Sequence, residues 1–271
     1  MLGAIGMNSS WHWAAYGKHP VAKDYFKLGK DFPLGKGFSD WIEKGYQALT
    51  TRKGARPELC SWRFWARGVG RDGLACGLVR DSSDRVGRPY PLLIMGTGPL
   101  RGWEDEWDLL PFACERTWEQ IEYLSSLMVT DFKKLEVEVQ NIRPPSPEWS
   151  EFYSHRETFR NELTSHSNES CCDPRDIEEA SKRTEKTELY IGLDDGPFKD
   201  PFTRVGFWHS LFRTHLKAIP NALFMGGTFD KAYLALFRRP LVPSDFMELW
   251  SLSSAEGPHP YLLTLPWSGR L

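Results

Sequence analysis

Ser83, Asp84, Arg85 and Arg88 stand within six positions of one another in SSDRVGRPYPLLIM, residues 82–95, directly ahead of an apolar run. A serine next to an aspartate could serve a hydrolase acting on an anionic or phosphorylated substrate, with Lys18, Asp24 and Arg85 completing the cluster. That chemistry needs a base within hydrogen-bond reach and a strained nucleophile elbow. The chain has no GxSxG, and of its histidines, at 12, 19, 155, 166, 209, 215 and 259, His19 is the one that could fold against the turn. Two arginines three positions apart suggest different chemistry. Their planar forks suit a carboxylate or phosphate, so Arg85 and Arg88, joined by Lys18, would form a cationic site for an acidic partner segment or a phosphorylated residue. A structural alternative stands beside this one. Asp84 would accept backbone N–H groups within the turn while one arginine pairs with a carboxylate such as Asp24, holding the N-terminal loop against the sheet.

Other candidates are weaker. His209 and His215 are six apart on a helical pattern, which is not the i, i+4 spacing of a zinc pair. GVGRDG imitates a phosphate loop in composition but lies between two strand patterns, whereas a phosphate loop opens a helix. Trp65 shares the arginine-bearing face of its strand and is a candidate interface anchor, since Trp and Arg dominate binding hot spots. The acidic cluster WEDEWD, 103–108, reads as a solvated helix N-terminus favoured by the helix dipole.

The elements that must position these residues follow from periodicity. Trp11 to Ala15 opens as a strand and runs into a Gly/Pro-bearing loop, YGKHPVAKDYFKLGKDFPLGKG. Phe38, Trp41, Ile42, Gly45, Tyr46 and Leu49 recur at helical spacing, with Ser39 available as N-cap. CSWRFWARG alternates, setting Trp62, Phe64 and Ala66 against Arg63, Trp65 and Arg67, and VGRDG turns it into LACGLVR as a hairpin. Gly87 and Pro89 mark the turn before a third strand, Leu92 to Met95. A helix follows, with Pro111 in its first turn and a stripe of Cys114, Trp118, Ile121, Leu124 and Met128.

After the prolines of 143–147, Trp149, Phe152, Tyr153, Phe159 and Leu163 suggest a helix, and the polar tract 165–188 reads as a mobile insertion. Order resumes as strand (LYIGL), helix (Val205 to Leu216), a hairpin (ALFMGG and AYLALF) and a helix (DFMELW). The expected fold class is α+β, a mainly antiparallel sheet built from hairpins and flanked by helices, with two α/β sub-domains as one arrangement. The expected divisions are 1–142, a linker with helix and polar insertion at 143–188, and a C-terminal α/β sub-domain at 189–271.

Composition excludes several classes. Lys+Arg 34 against Asp+Glu 36 gives a net charge of −2, no basic field for nucleic acid. No apolar run is long enough to cross a bilayer, and MLGAIGMNSSWHW lacks the order of a signal peptide, so a cytoplasmic location is expected. Five cysteines without CxxC spacing indicate neither a disulfide framework nor a zinc site, and no cofactor is expected.

The order of blocks in the first half resembles the TagF family of accessory proteins from bacterial type VI secretion clusters. Gly17, Lys18 and Pro20 match the family's Gly-Lys-x-Pro opening, Asp24 and Tyr25 its next block, and Arg63 with Phe64 its strand. Ser82 or Ser83 with Asp84, Arg85, Gly87, Arg88, Pro91 and Leu92 match its Ser-x-Asp-x-x-Gly-Arg turn and Pro-Leu. Lys23 replaces the usual glycine before the aspartate, and beyond residue 145 only FMGG and PLVPSDFMEL align loosely. The resemblance implies a non-enzymatic, post-translational repressor of secretion assembly that binds a protein of the machine, in some systems a forkhead-associated scaffold.

Overall fold

The fold is organised by strands whose side chains are apolar on both sides, and a sheet made of such strands must be covered twice. The structure is a computed structural model describing residues 11–51, 59–126, 131–165, 187–194, 198, 200–252 and 262–263. Its strands are β1 (His12–Gly17), β2 (Phe26–Gly29), β3 (Ser61–Arg67), β4 (Gly73–Arg80), β5 (Leu92–Pro99), β6 (Glu188–Gly192), β7 (Ala222–Gly227), β8 (Ala232–Phe237) and β9 (Leu262–Leu263). They form one sheet in the order β2-β1-β5-β4-β3-β7-β8-β6-β9. Eight strands pair antiparallel, and the short β9 runs parallel to β6. The expected α+β class is what the chain adopts.

Two helical layers enclose this sheet. On one face α1 (Pro33–Thr51) and α6 (Pro243–Ser251) bring Phe38, Trp41, Phe246 and Trp250 onto Trp62, Phe64 and Phe224. On the other, α2 (Leu110–Ser126), α3 (Phe132–Gln140), α4 (Tyr153–Ser165) and α5 (Pro201–His215) cover Trp65, Cys76 and Leu78. Trp62, Trp65 and Trp118 are all completely buried. Each such side chain contributes about 2 to 3 kcal/mol through apolar area removed from water.

The β3–β4 hairpin and the alternation within β3 are as the sequence predicts. Three expectations are corrected. Ser39 is not a helix cap, because α1 begins six residues earlier at Pro33, whose missing N–H costs nothing in a first turn. Within the expected loop lies a fourth hairpin partner, β2, paired with β1 from Ala14↔Gly29 to Gly17↔Phe26. The strands of 1–142 and of 189–271 also share one ladder, through β3 and β7, with Phe64 opposite Phe224. Met128, Cys171, Cys172 and the tract expected to be mobile at 165–188 lie mostly outside the described residues; Cys60, Cys76 and Cys114 are buried.

Candidate partner-docking site

The turn that follows β4 is built around one carboxylate. Ser83 and Pro89 form an isolated antiparallel bridge, the Asp84 N–H donates to the Arg88 carbonyl at 3.2 Å, and the Gly87 N–H donates to the Asp84 carbonyl at 2.9 Å. Arg85, Val86 and Gly87 thus form a three-residue hairpin connection. It closes because Gly87 takes φ +83, in the left-handed region that a side chain disfavours. Inside the turn Asp84 Oδ1 accepts from the Val86 N–H at 3.1 Å and the Arg88 N–H at 2.9 Å. Its Oδ2 receives the Arg88 Nε–H at 2.7 Å and lies 3.1 Å from Lys18 Nζ.

Burial alone would push the Asp84 carboxyl up. The Arg88 backbone N–H, the Lys18 ammonium, the Arg88 guanidinium and the Val86 N–H outweigh it and hold the group down at about 2. Arg88 also reaches Asp24 at 3.1 Å and the Lys23 carbonyl at 2.9 Å, while the Arg85 N–H donates to the Ala22 carbonyl at 2.8 Å. The turn and the 18–25 loop therefore hold each other. Lys18 and Arg88 face Asp24 and Asp84, two cations against two carboxylates, and the group is neutral.

That neutrality corrects the expected cationic site. Lys18 is mostly buried and, with Arg88, has its charge answered within the chain, so neither presents free charge to a partner. Arg85 is exposed, and among the described residues its guanidinium has no carboxylate partner. Beside it Val86 is 73% exposed, and Tyr25 stands partly in solvent with its ring edge-on to Tyr90, 5.4 Å between centroids. Tyr46 supports Tyr90 at 5.1 Å and donates its hydroxyl proton to the Pro89 carbonyl at 3.2 Å. Sequence reading missed these tyrosines as part of the site, although Tyr25 and Tyr90 each sit inside a block that drew attention.

The remaining predicted residues have structural places. Gly17 closes β1 at φ +117, where a Cβ would lie 2.0 Å from the Pro91 carbonyl oxygen, so the first and last blocks of the motif meet by backbone contact. Pro20 lies in the loop between β1 and β2, on the stretch that Asp24 and Arg88 hold. Arg63 grips Glu122 on α2 with two hydrogen bonds, 2.7 and 2.6 Å, and lies over Trp118. Trp65 cannot be an interface anchor. Its strand face is covered by helices, the ring is fully buried, and its Nε1–H donates to His209 Nε2 at 3.1 Å. His209 in turn donates from Nδ1 to the Val205 carbonyl at 2.7 Å, and burial lowers its pKa to about 4 against the smaller opposing pulls of that carbonyl and Asp108.

His19 does not approach Ser83 as a base. Its Nε2 donates to the Leu124 carbonyl at 3.2 Å and its Nδ1 accepts from the Val21 N–H at 3.2 Å. The acidic cluster is also corrected. Asp108 is buried and accepts from Arg156 at 2.8 and 2.7 Å and from Arg213 at 2.5 Å, and Glu106 pairs with Arg156 as well. No group of three or more potential metal ligands occurs among the described residues.

Residues 14–142 match the family model of the TagF N-terminal domain, described as type VI secretion system-associated. Over that stretch, just under half of its length, the chain is similar to a domain family associated with type VI secretion. All of the locked motif, from Gly17 through Asp84 to Pro91, falls inside that matched domain. Among curated proteins none matches the chain. Among solved structures, the crystal structure of PA0076 from Pseudomonas aeruginosa PAO1 is similar at 16% identity with a TM-score of 0.49, over 95% of this chain and 100% of that one. No helix among the described residues is long and apolar enough to cross a membrane.

Proposed function

We propose that this protein is a non-enzymatic, post-translational repressor of type VI secretion assembly, acting in the cytoplasm by binding a protein of the machine, with a forkhead-associated scaffold as the partner. The observation that carries the reading is the preorganised turn at 84–88. A buried, fully coordinated aspartate fixes a loop whose tip offers one uncompensated arginine beside an exposed valine, and the same turn holds the 23–24 backbone next to the partly exposed Tyr25. Binding hot spots favour Arg and Tyr, and a loop that is already rigid loses little entropy on association. His19, which a hydrolase at Ser83 would have to use, has both ring nitrogens committed elsewhere.

The test separates Arg85 from Arg88. Arg85 holds no ion pair among the described residues, so Arg85→Glu is expected to weaken capture of the purified scaffold by about thirtyfold or more, the scale of an arginine hot spot, with thermal unfolding unchanged. Arg88→Glu is expected to lower the melting temperature, because it places a third carboxylate against Asp24 and Asp84. Unchanged capture by the Arg85→Glu protein would remove this site from the interface.

A further inference from the structure

His19 is completely buried, and it belongs to the 18–25 loop that grips the turn at 84–88. Two contacts fix where its proton sits. Nε2 faces the Leu124 carbonyl near the end of α2 at 3.2 Å, and a carbonyl only accepts; Nδ1 faces the Val21 N–H at 3.2 Å, and a backbone N–H only donates. The ring is therefore neutral, with its one proton on Nε2. A second proton would have to go to Nδ1, where it would set donor against donor and bury an uncompensated charge.

The groups packed around the ring do not offset such a charge. From β4, Arg80 donates to the Ser125 hydroxyl at 3.1 Å and adds its own positive field. From α2, Glu122 is taken by Arg63 through two hydrogen bonds. In the loop and the turn, Lys18 and Arg88 already answer Asp24 and Asp84. Burial, joined by Arg80, lowers the His19 pKa from the ordinary 6.5 against the pull of the Leu124 carbonyl.

The ring is also tied to the turn by a short path of backbone bonds. The His19 carbonyl accepts from the Ala22 N–H at 2.8 Å, and the Ala22 carbonyl accepts from the Arg85 N–H at 2.8 Å. One residue on, the Lys23 carbonyl accepts from Arg88 at 2.9 Å. A closed loop requires a neutral His19, whereas an open loop frees an imidazole that titrates in the ordinary range. The open form therefore binds more protons as pH falls below 6.5, and acid favours it by at most about tenfold per pH unit for one proton.

We propose that His19 is an acid-sensitive latch, whose protonation frees the 18–25 loop from α2 and loosens the turn at 84–88. Its consequence rests on the reading of that turn as the docking site, where a loosened turn means a weakened hold on the partner; the latch itself does not depend on that reading. His209 obeys the same rule through the Val205 carbonyl and the Trp65 N–H, but it joins α5 to β3 in the core, so its protonation would loosen the whole fold. Asp84, held at about 2, stays charged throughout the range in which His19 titrates.

Amide hydrogen exchange on the full chain, read by mass spectrometry at pH 7 and at about pH 5.5 and corrected for the intrinsic dependence of exchange on pH, supplies the test. Protection of peptides covering 18–25 and 82–90 is expected to fall about threefold or more at the lower pH, while peptides from β3 and β7 hold theirs. His19→Gln, which offers an amide donor and acceptor that do not titrate, should remove the pH dependence. Nuclear magnetic resonance of the parent with ¹³C-labelled histidine gives a second reading that needs no variant: the His19 ring should titrate below 6.5. Loop protection that does not change with pH, an equal fall in His19→Gln or in the β3 and β7 peptides, or a His19 ring that titrates at or above 6.5 would overturn the proposal. No scaffold protein takes part, so the latch can be found where the Arg85 interface fails and be missing where that interface holds.

Discussion

At the scale of single residues, Asp84 carries the site. Its carboxyl titrates near 2 in the folded chain against an ordinary 3.8, so between those values the unfolded chain binds more protons. The stability this carboxylate contributes is therefore complete above about pH 4 and is lost as pH falls towards 2. Asp84→Asn keeps the shape and removes the charge, leaving Lys18 and Arg88 facing a neutral amide. It is expected to melt at a lower temperature than the parent at pH 7, and the difference should shrink as the buffer is taken from pH 5 to pH 2. Parallel melting curves with a constant gap across that range would show that the carboxylate does not anchor the turn. Much of this was legible beforehand. The choice of Asp84 as acceptor follows from turn chemistry, whereas its companion, the Arg88–Asp24 pair, spans 64 positions and follows from no local spacing. Neutralisation of Lys18 was not legible, because pairing across 66 positions requires knowing that β1 lies beside β5.

Elements show where sequence patterns mislead. β3 alternates as expected, but Trp65 on its arginine-bearing face is covered by helices, and the arginines of that face reach Glu122 and Glu104. β2 escaped notice because FKLG is four residues long within a glycine-rich loop, too short to display a period. Asp108 is a stronger case. A carboxylate ahead of a helix reads as a dipole partner, and nothing local announces that arginines from α4 and α5 will converge on it. The ion cluster that results ties the segment before α2 to two later helices, with Asp108 buried beneath it. Replacing Asp108 by alanine leaves Arg156 partly buried with only Glu106 to answer it. Breaking a buried pair from one side costs on the order of 3 kcal/mol. Denaturant unfolding of Asp108→Ala should show that loss, with a lesser one in Arg213→Ala, whose side chain is more exposed. An Asp108→Ala protein as stable as the parent would mean that the clamp contributes nothing net.

For the whole molecule, the governing fact is that one sheet runs through both halves of the chain. β3 is the hinge of that continuity, with β4 from the first half on one side and β7 from the second on the other. Its outer residues Trp62 and Phe64 pack in a core completed by Phe224, Phe246 and Trp250, all contributed from beyond residue 220. A fragment comprising 1–142 contains the whole matched TagF segment but would present β3 as an open edge and leave that core half uncovered. Open edges with apolar faces recruit other chains. The fragment is therefore expected to aggregate or remain partly unfolded when expressed alone, and to become monodisperse when 143–271 is supplied as a second polypeptide that restores the β3–β7 ladder. Size-exclusion chromatography of the fragment with and without its complement reads the outcome. A 1–142 fragment that elutes as a cooperatively folded monomer would show that the domain match marks an independent folding unit, and that the second half is joined to the sheet without being needed to close it.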